Sequence, residues 1–541
     1  MSVTNLDFLK EGGLYPPNTE IARLYKYKRY KEIFDSKMGD AYTNFLRSAV
    51  TGQISESIAS QMQTIFTNPR IMNYGRAITK KTVDLAVSRK PSLTTNTDKG
   101  DLDLLEIQRE TKVWNKVKMG LVDVSRYGNG YIREYNKKER IMQDDGTYSA
   151  GEVGCNVLLP ELITKVVSPY DKEDIQHYVV GWVDEIVSYE TLGTVVKPKE
   201  TEYYLTVEVH SKGEYYTRRF KVSAPVLNVG MVKQYYIERE VPAPDGGGVK
   251  KTGLKDFAIK HLKNFTTSDD PLEGLSDYDM FDSLMIDLCQ RVSQLSEVFE
   301  RHGNPAMQGS PDLMSTDENG NPVFYTGEFY PIKDGEVPLS YITWDAKSKD
   351  ILDYCNNILQ QIFILSEMGD GSIMGYTNKS TGFAESGKAI RMKMASPLMK
   401  VQSLLGDNED EIISMIHDFS IIMGKNIDRN QIEVAWKDGL PVDWVEETNN
   451  FNARVQAGTE SIRYGLQRRF NMTPEEAEEE YQQILKEKKD IAENSSVIKQ
   501  DMFGNNKNEE NALQNDKNGV KIESEKRETV EKRNDANNNL G

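Results

Sequence analysis

The chain is poor in the groups that most often carry chemistry. It has three cysteines, Cys155, Cys289 and Cys355, far apart and without metal or redox spacing. That pattern predicts reduced thiols and no disulfide framework. Five histidines are equally scattered, and none falls in a pair that would hold zinc, so no metal is expected. There is no G-x-S-x-G elbow and no H-E-x-x-H. No apolar run approaches the roughly 20 residues needed to span a bilayer, and the start, MSVTNLDFLKEGG, lacks the basic and apolar regions of a signal peptide. These absences argue against a metalloenzyme, a serine hydrolase and a membrane protein, and predict a protein made in a cytoplasm-like compartment, with no cofactor.

Positive net charge is missing too. The formal charge is -17, so the chain is no obvious nucleic-acid clamp, because affinity for a polyanion comes mostly from Lys and Arg on phosphates. What remains is large and polar: 541 residues, 38% apolar, with 27 tyrosines. That is enough for two or more cores, and it predicts elongated domains with large solvated surfaces and some disorder.

The first forty residues include the basic-aromatic ARLYKYKRYKEIF, read as a helix face or an arm on a neighbour. Apolar spacing predicts helix from about Asn44 to Lys90. It predicts another from Asp101 to Val124, with Leu105, Val113, Val117, Leu121 and Val124 near one face. Tyr127-Gly128-Asn129-Gly130-Tyr131 is a turn that opens a strand. Residues 155 to 240 alternate in the manner of a β-region, with strands at Val179–Val183 and Gln234–Ile237 and a hairpin turn at Ser211–Glu214. Pro242 to Gly248 reads as a flexible loop.

The middle of the chain changes character. Ser276, with Asp279 three residues on, resembles a capping box. The helix that follows carries Phe281, Leu284, Leu288, Val292, Leu295 and Phe299 on a narrow seam, and His302-Gly303-Asn304-Pro305 ends it. A Pro- and Gly-rich stretch with short strands such as Val323–Tyr325 follows. A second helix begins at Asp345, with Ile351, Tyr354, Ile358, Ile362 and Leu365 on its seam. At about 24 residues each, the two rods are about 36 Å long. A third long helix starts at Lys388, with Pro397 expected to kink it and Gly406 to break it. Thr473-Pro474-Glu475-Glu476 starts another helix. Beyond Asp490 almost nothing apolar remains, which predicts disorder.

Between the second and third rods, Gly382-Phe383-Ala384-Glu385-Ser386-Gly387-Lys388 spells G-x-x-x-x-G-K, most of a phosphate-binding loop. The match stops there. Ala389 stands where a metal-holding Ser or Thr belongs, no apolar strand precedes Gly382, and no strand ending in Asp follows. Two readings stay open: a degenerate P-loop NTPase acting on DNA, or a glycine-rich connection between long helices.

The order of these parts resembles the portal (head-tail connector) proteins of tailed bacteriophages, of the siphophage type. The resemblance rests on PLEGLSDYDMFDSLMIDLCQRVSQLSEVFERHGNPAM (Pro271 to Met307), on STGFAESGKAIRMKMASPLMKVQ (Ser380 to Gln402), and on VAWKDGLPVDWVEETNN with the following AGTESIRYGLQRRFNMTPEEAEEEYQQI (Ala457 to Ile484). RLYKYKRYKEIF and YGNGYIREY match in pattern only. It implies an α+β fold: an elongated portal-type subunit with an α/β wing, two long stem helices, a small β-containing clip, a kinked long helix and a helical crown. The implied parts are an N-terminal arm (1–40), wing (41–275), stem helix (276–301), clip (302–344), second stem helix (345–368), tunnel loop (369–387), long wing helix (388–438), crown (439–489) and disordered tail (490–541).

The family implies a homo-oligomeric ring, of twelve subunits, at one capsid vertex in the virion, assembled in the host cytoplasm. Double-stranded DNA passes through it during packaging and ejection. Its implied partners are the terminase motor, head-completion or adaptor proteins, and the major capsid and scaffolding proteins. No membrane, cofactor, metal or catalytic residue is implied. At the constriction the expected DNA-channel residues are Asn378, Lys379, Ser380 and Lys388, making weak sequence-blind contacts; ordinary exposed lysines are the alternative. The stem seams, Phe281, Leu284, Leu288, Val292 and Leu295 with Ile351, Ile358 and Ile362, are expected to pack against neighbours in the ring or within one subunit. A coiled-coil scaffold remains a third reading.

Overall fold

The structure is a computed structural model and describes residues 3–36, 72–138, 152–192, 195–227, 232–303, 348–369, 394–425, 427–437, 444–470 and 476–489, with a few short pieces between 307 and 341 and residue 392. The fold is α+β. The chain divides into two compact units, Met1–Leu440 and Pro441–Gly541.

In the first unit, α1 (Ile21–Phe34) and α2 (Tyr74–Val87) precede α3 (Asp98–Thr111) and α4 (Val113–Tyr127). The expected single helix over 101–124 is two helices. Lys112, at φ 51°, takes a left-handed turn between them. That break resets the helical phase. Val113, Val117, Leu121 and Val124 are buried as expected, but Leu105 is exposed and Leu104 and Ile107 take its place. α4 ends at Gly128, which has φ 81°, and the chain enters β1 (Asn129–Lys138) as the turn signal predicts.

β1 lies between β2 (Glu152–Leu158) and β3 (Ile259–Lys263) in a three-stranded antiparallel sheet. One face carries Ile132, which joins a core with α2, α3, α4 and a long helix, α7, described below. The other face carries Tyr131, which packs with Tyr178, Val180 and Phe257 of the larger sheet region. That larger sheet has eight strands. Its centre is a long hairpin, Ile175–Leu192 with Val195–Ser211, followed by Glu214–Val222 across the two-residue turn Lys212-Gly213. Gly213 has φ 81°, as a tight hairpin turn requires. The N-terminal segment covers its outer face through Val3, Leu9 and Tyr15.

The loop 242–248 is tied down rather than free. The Asp245 carboxylate accepts from Thr217 Oγ1 (2.8 Å), Gly247 N (3.2 Å) and Lys250 Nζ (2.7 Å). These bonds, the Lys250 one first, hold its carboxyl down at about 2.

The segment read as an arm includes α1, and α1 belongs to the core. Tyr27, Tyr30 and Ile33 are buried in a cluster with Tyr74 and Ile78 of α2 and with two long helices, α5 (Asp282–Gly303) and α6 (Ser348–Leu365). The hydroxyls of its buried tyrosines find partners inside: Tyr30 donates to Asp279 and Tyr27 to Glu273.

α7 (Ala395–Met423) follows without the expected kink inside its described length. Pro397 stands in its first turn, where no intrahelical N–H is needed, so it starts the helix rather than bending it. Gly406 lies mid-helix on an open surface and breaks nothing. The helix stops at Gly424, with φ 73°. In the second unit, α8 (Trp444–Gln456), α9 (Ile462–Phe470) and a helical stretch over 476–489 are joined by ion pairs such as Arg463–Glu478 (2.8 Å). The helix start expected at Thr473 lies outside the described residues, as do the first part of the helix expected from about Asn44 to Lys90 and the tail beyond 490 that was expected to be disordered.

Candidate functional site: the joint of α5, α6 and α7

The expected DNA-channel residues Asn378, Lys379, Ser380 and Lys388 lie outside the described residues, and so does the G-x-x-x-x-G-K sequence. The two chain ends that lead into and out of that stretch are described, and they meet at one joint.

The outgoing end is the C-terminus of α6. Ser366 N bonds Ile362 O (2.9 Å), Glu367 N bonds Ile364 O (3.0 Å), and Met368 N reaches back to Phe363 O (3.0 Å). With Glu367 at φ 61°, this is a Schellman cap, closed by the buried side chains of Phe363 and Met368. A glutamate replaces the usual glycine at the left-handed position. The returning end is the start of α7. Ser396 Oγ donates to Glu367 O (3.1 Å) and Lys400 Nζ donates to Ser366 O (3.0 Å). Lys400 thus supplies positive charge at the carbonyl end of α6.

Lys400 also pairs with Asp277 (2.9 Å), just ahead of α5, and both side chains are at least nine-tenths buried. Asp277 is fully satisfied. Oδ1 accepts from Lys400 and from Asn264 Nδ2 (2.9 Å), and Oδ2 accepts from Ser125 Oγ of α4 (2.6 Å). With its one proton given to Asp277, Ser125 Oγ accepts from Thr79 Oγ1 of α2 (3.1 Å), which in turn accepts from the Tyr278 hydroxyl (2.7 Å). One buried cation therefore ties the turn ahead of α5, the end of α6, the start of α7 and, through Ser125 and Thr79, α4 and α2.

Beside it, Ser276 caps less than a capping box does. Its Oγ accepts from Tyr278 N (3.0 Å) at a short 3-10 turn over Asp277–Met280, and donates to Arg126 O (2.7 Å) at the end of α4. Asp279 does not complete a box, because its carboxylate serves Tyr30 instead.

The structure gathers the expected stem residues into one place. Phe281, Leu288, Ile358 and Ile362 are buried, and Leu284, Val292 and Ile351 pack against them, in the cluster that includes α1 and α2. Leu295, further along α5, is buried as well. This seam packs within the subunit. Phe299, Tyr354 and Leu365 are not on it: they are 55%, 48% and 36% exposed, while Cys355 and Phe363 take inward positions. Tyr354 instead donates its hydroxyl to Asp287 (3.0 Å), with Arg291 over its ring. Among the described residues between α5 and α6 are two short antiparallel pairs, Met307–Gln308 with Ser340–Tyr341 and Ser315–Thr316 with Pro322–Val323. The three cysteines are free and buried.

A second polar cluster surrounds a cavity of about 310 Å³ against α1. Lys165 pairs with Glu273 (2.7 Å), and Arg23 pairs with Glu20 (2.5 Å) and donates to Pro160 O and Ile163 O. Burial alone raises the Glu273 carboxyl, but Lys165 and Arg23 outweigh it and hold it below its ordinary value. Asn129 joins the parts. Its Nδ2 donates to Glu273 (2.7 Å), and its Oδ1 accepts from Gly274 N (3.1 Å) and from His261 Nε2 (2.8 Å). The Asn129 oxygen can only accept, so His261 carries its proton on Nε2; burial, with nearby cations, keeps the ring neutral. Each charge here is matched by an opposite one, which is the pattern of a structural anchor. Neither cluster was legible in the sequence, because the residues of each come from segments far apart in the chain.

No family model and no curated protein matches this sequence. Among solved structures, the chain is similar to a protein in the neck of a native gene transfer agent (GTA) particle computed with C12 symmetry. The match has 14% identity and TM-score 0.38, and covers 72% of this chain and 85% of that one. It is similar also to a chain from the virion of the native GTA particle (13%, TM-score 0.37, 74% and 89% covered) and to one from the neck of the empty particle computed with C6 symmetry (12%, 0.39, 73% and 90%). Likenesses of this size do not fix a function.

Proposed function

We propose that this chain is the repeating subunit of a portal-type ring in a tailed-phage particle. It conducts double-stranded DNA at one vertex and has no chemistry of its own. The observation that carries the reading is the stem. Two long helices bury one seam inside the subunit, are rooted on a single charged joint, and leave large apolar side chains on their outer faces. Phe299 of α5 and Leu352 and Ile364 of α6 are all at least 44% exposed, a supply of apolar surface that is useful where copies stand side by side. The sequence resemblance supplies the rest of the proposal: a ring of twelve, a clip that meets the terminase and then the head-completion proteins, a wing that meets capsid and scaffolding proteins, and the stretch 369–387 at the constriction. The net charge of -17 suits a channel that lets DNA slide, since few cations are available to hold phosphates.

The outer stem face gives the test. Leu352→Glu with Ile364→Glu puts charge on exposed positions and spares the buried seam. The expected result is an unchanged circular dichroism spectrum and thermal midpoint for the monomer. In sedimentation velocity the subunit contact weakens about tenfold or more, the order of one lost buried aliphatic side chain. Full ring assembly by this variant would remove the outer stem face from the interface. ATP turnover by the purified protein, abolished by Lys388→Ala, would favour a nucleotide-hydrolysing enzyme instead.

A further inference from the structure

The sheet beneath α7 holds one buried ammonium and more carboxylates than it can neutralise. Lys260, on β3, is 3% exposed. Its Nζ lies 2.6 Å from Asp418 Oδ2 and donates to Ser414 Oγ (3.0 Å), both on α7. Glu134, on β1, is 2% exposed, and neither of its carboxylate oxygens has a hydrogen-bond partner. The strand register explains why the two belong together. Lys260 stands opposite Ile132, and Glu134 N bonds Ala258 O, so Glu134 is the diagonal neighbour of Lys260 on the same sheet face. The other groups facing the site are acidic or neutral: Asp256 ahead of β3, Glu411 on α7, and Cys155 opposite Glu134 on β2. His417 sits 3.6 Å from Asp418 on its far side, and Arg429 and Lys263 act on Glu411.

We propose that Lys260 is a two-position latch: Asp418 holds it while α7 is docked, and Glu134, by giving up a proton, takes it over when Asp418 is withdrawn. With Asp418 in place, a second ionised carboxylate would be buried without a counter-ion, so Glu134 keeps its proton. Burial pushes its carboxyl well above the ordinary range, against the pull of Lys260. Once α7 moves, the same proton is released and the ammonium is not stranded. Asn408 fastens the same two elements nearby, by donating to Lys263 O (2.7 Å) and accepting from Lys263 N (2.8 Å).

The sign of the pH effect follows. A carboxyl whose folded value is raised contributes stability that is present below its unfolded value and is lost as pH rises toward the folded one. Asp418→Asn hands Lys260 to an ionised Glu134 and so removes that loss.

The test is a double-mutant cycle on the full chain, read by urea unfolding at pH 7. Asp418→Asn alone is expected to change the folding equilibrium little, and its stability relative to wild type should improve between pH 6 and 8. Glu134→Gln alone is expected to be neutral or stabilising. The double variant strands Lys260, and its loss should exceed the sum of the two single effects by about tenfold or more. Additivity within about twofold would overturn the latch. So would failure of Asp418→Asn alone to fold, because Glu134 would then not be replacing Asp418. The cycle reads the single chain, so its outcome is independent of whether the chain forms a ring.

Discussion

Lys400→Met is expected to lower the stability of the first unit by about 3–5 kcal/mol, the cost of breaking a buried ion pair from one side. Methionine keeps the length of the side chain but leaves Asp277 ionised, 4% exposed and without its cation, and leaves Ser366 O without its donor. Ser125 and Asn264 still donate to Asp277, but two neutral hydrogen bonds do not neutralise a charge. Pairing Lys400→Met with Asp277→Asn should recover part of the loss, since the uncompensated carboxylate is then gone. Equilibrium urea unfolding of the three variants measures both effects. A Lys400→Met protein within about 0.5 kcal/mol of wild type, the range of an ordinary surface change, would show that the joint does not hold α5 and α6.

A loss of comparable size is expected from Gly128→Ala, for a steric reason. Gly128 and Gly274 meet back to back. A Cβ at Gly128 would lie 2.0 Å from Gly274 O, and one at Gly274 would lie 2.1 Å from Gly128 O. Both atoms are backbone and cannot swing aside. Gly128 O also accepts from Asn264 N (2.9 Å), so moving it breaks a further bond. Its φ of 81° adds the left-handed penalty of about 1–2 kcal/mol to an overpacking cost of about 1–3 kcal/mol, roughly 2–5 kcal/mol in all. Gly246→Ala is the control. It shares the positive φ, at 86°, but has nothing within 4 Å, so it should lose only the conformational part. Equal thermal shifts for the two variants would mean that the close approach at Gly128 is not what matters.

Local signals in the sequence carried much of the fold. Tyr127-Gly128-Asn129-Gly130 marks the passage from α4 to β1, because glycine is needed there. The hairpin at Ser211–Glu214 follows from alternation on both sides and Gly213 between them. The helices α5 and α6 follow from their spaced apolar residues. The errors arise where one residue has two physical readings. Pro397 breaks a helix interior but is welcome in a first turn, and only the position of the helix start decides between them. Lys112 takes a left-handed conformation that its side chain does not advertise, so the break before α4 and the exposure of Leu105 were not legible. The partners that Tyr27 and Tyr30 of α1 find inside, Glu273 and Asp279, lie far along the chain, so the burial of these two rings was not legible. For the same reason the joint at Lys400 and the latch at Lys260 could not be read: each brings together side chains from four or more segments that sequence spacing does not connect.

The central claim is that this subunit closes into a ring round a channel. Electron microscopy of the purified full-length protein, with class averages viewed down the symmetry axis, tests it most directly. Rings of about twelve subunits round an opening of roughly 20 Å or more, wide enough for duplex DNA, are the predicted result. Compact dimers, or six-membered rings that turn over ATP, would contradict it.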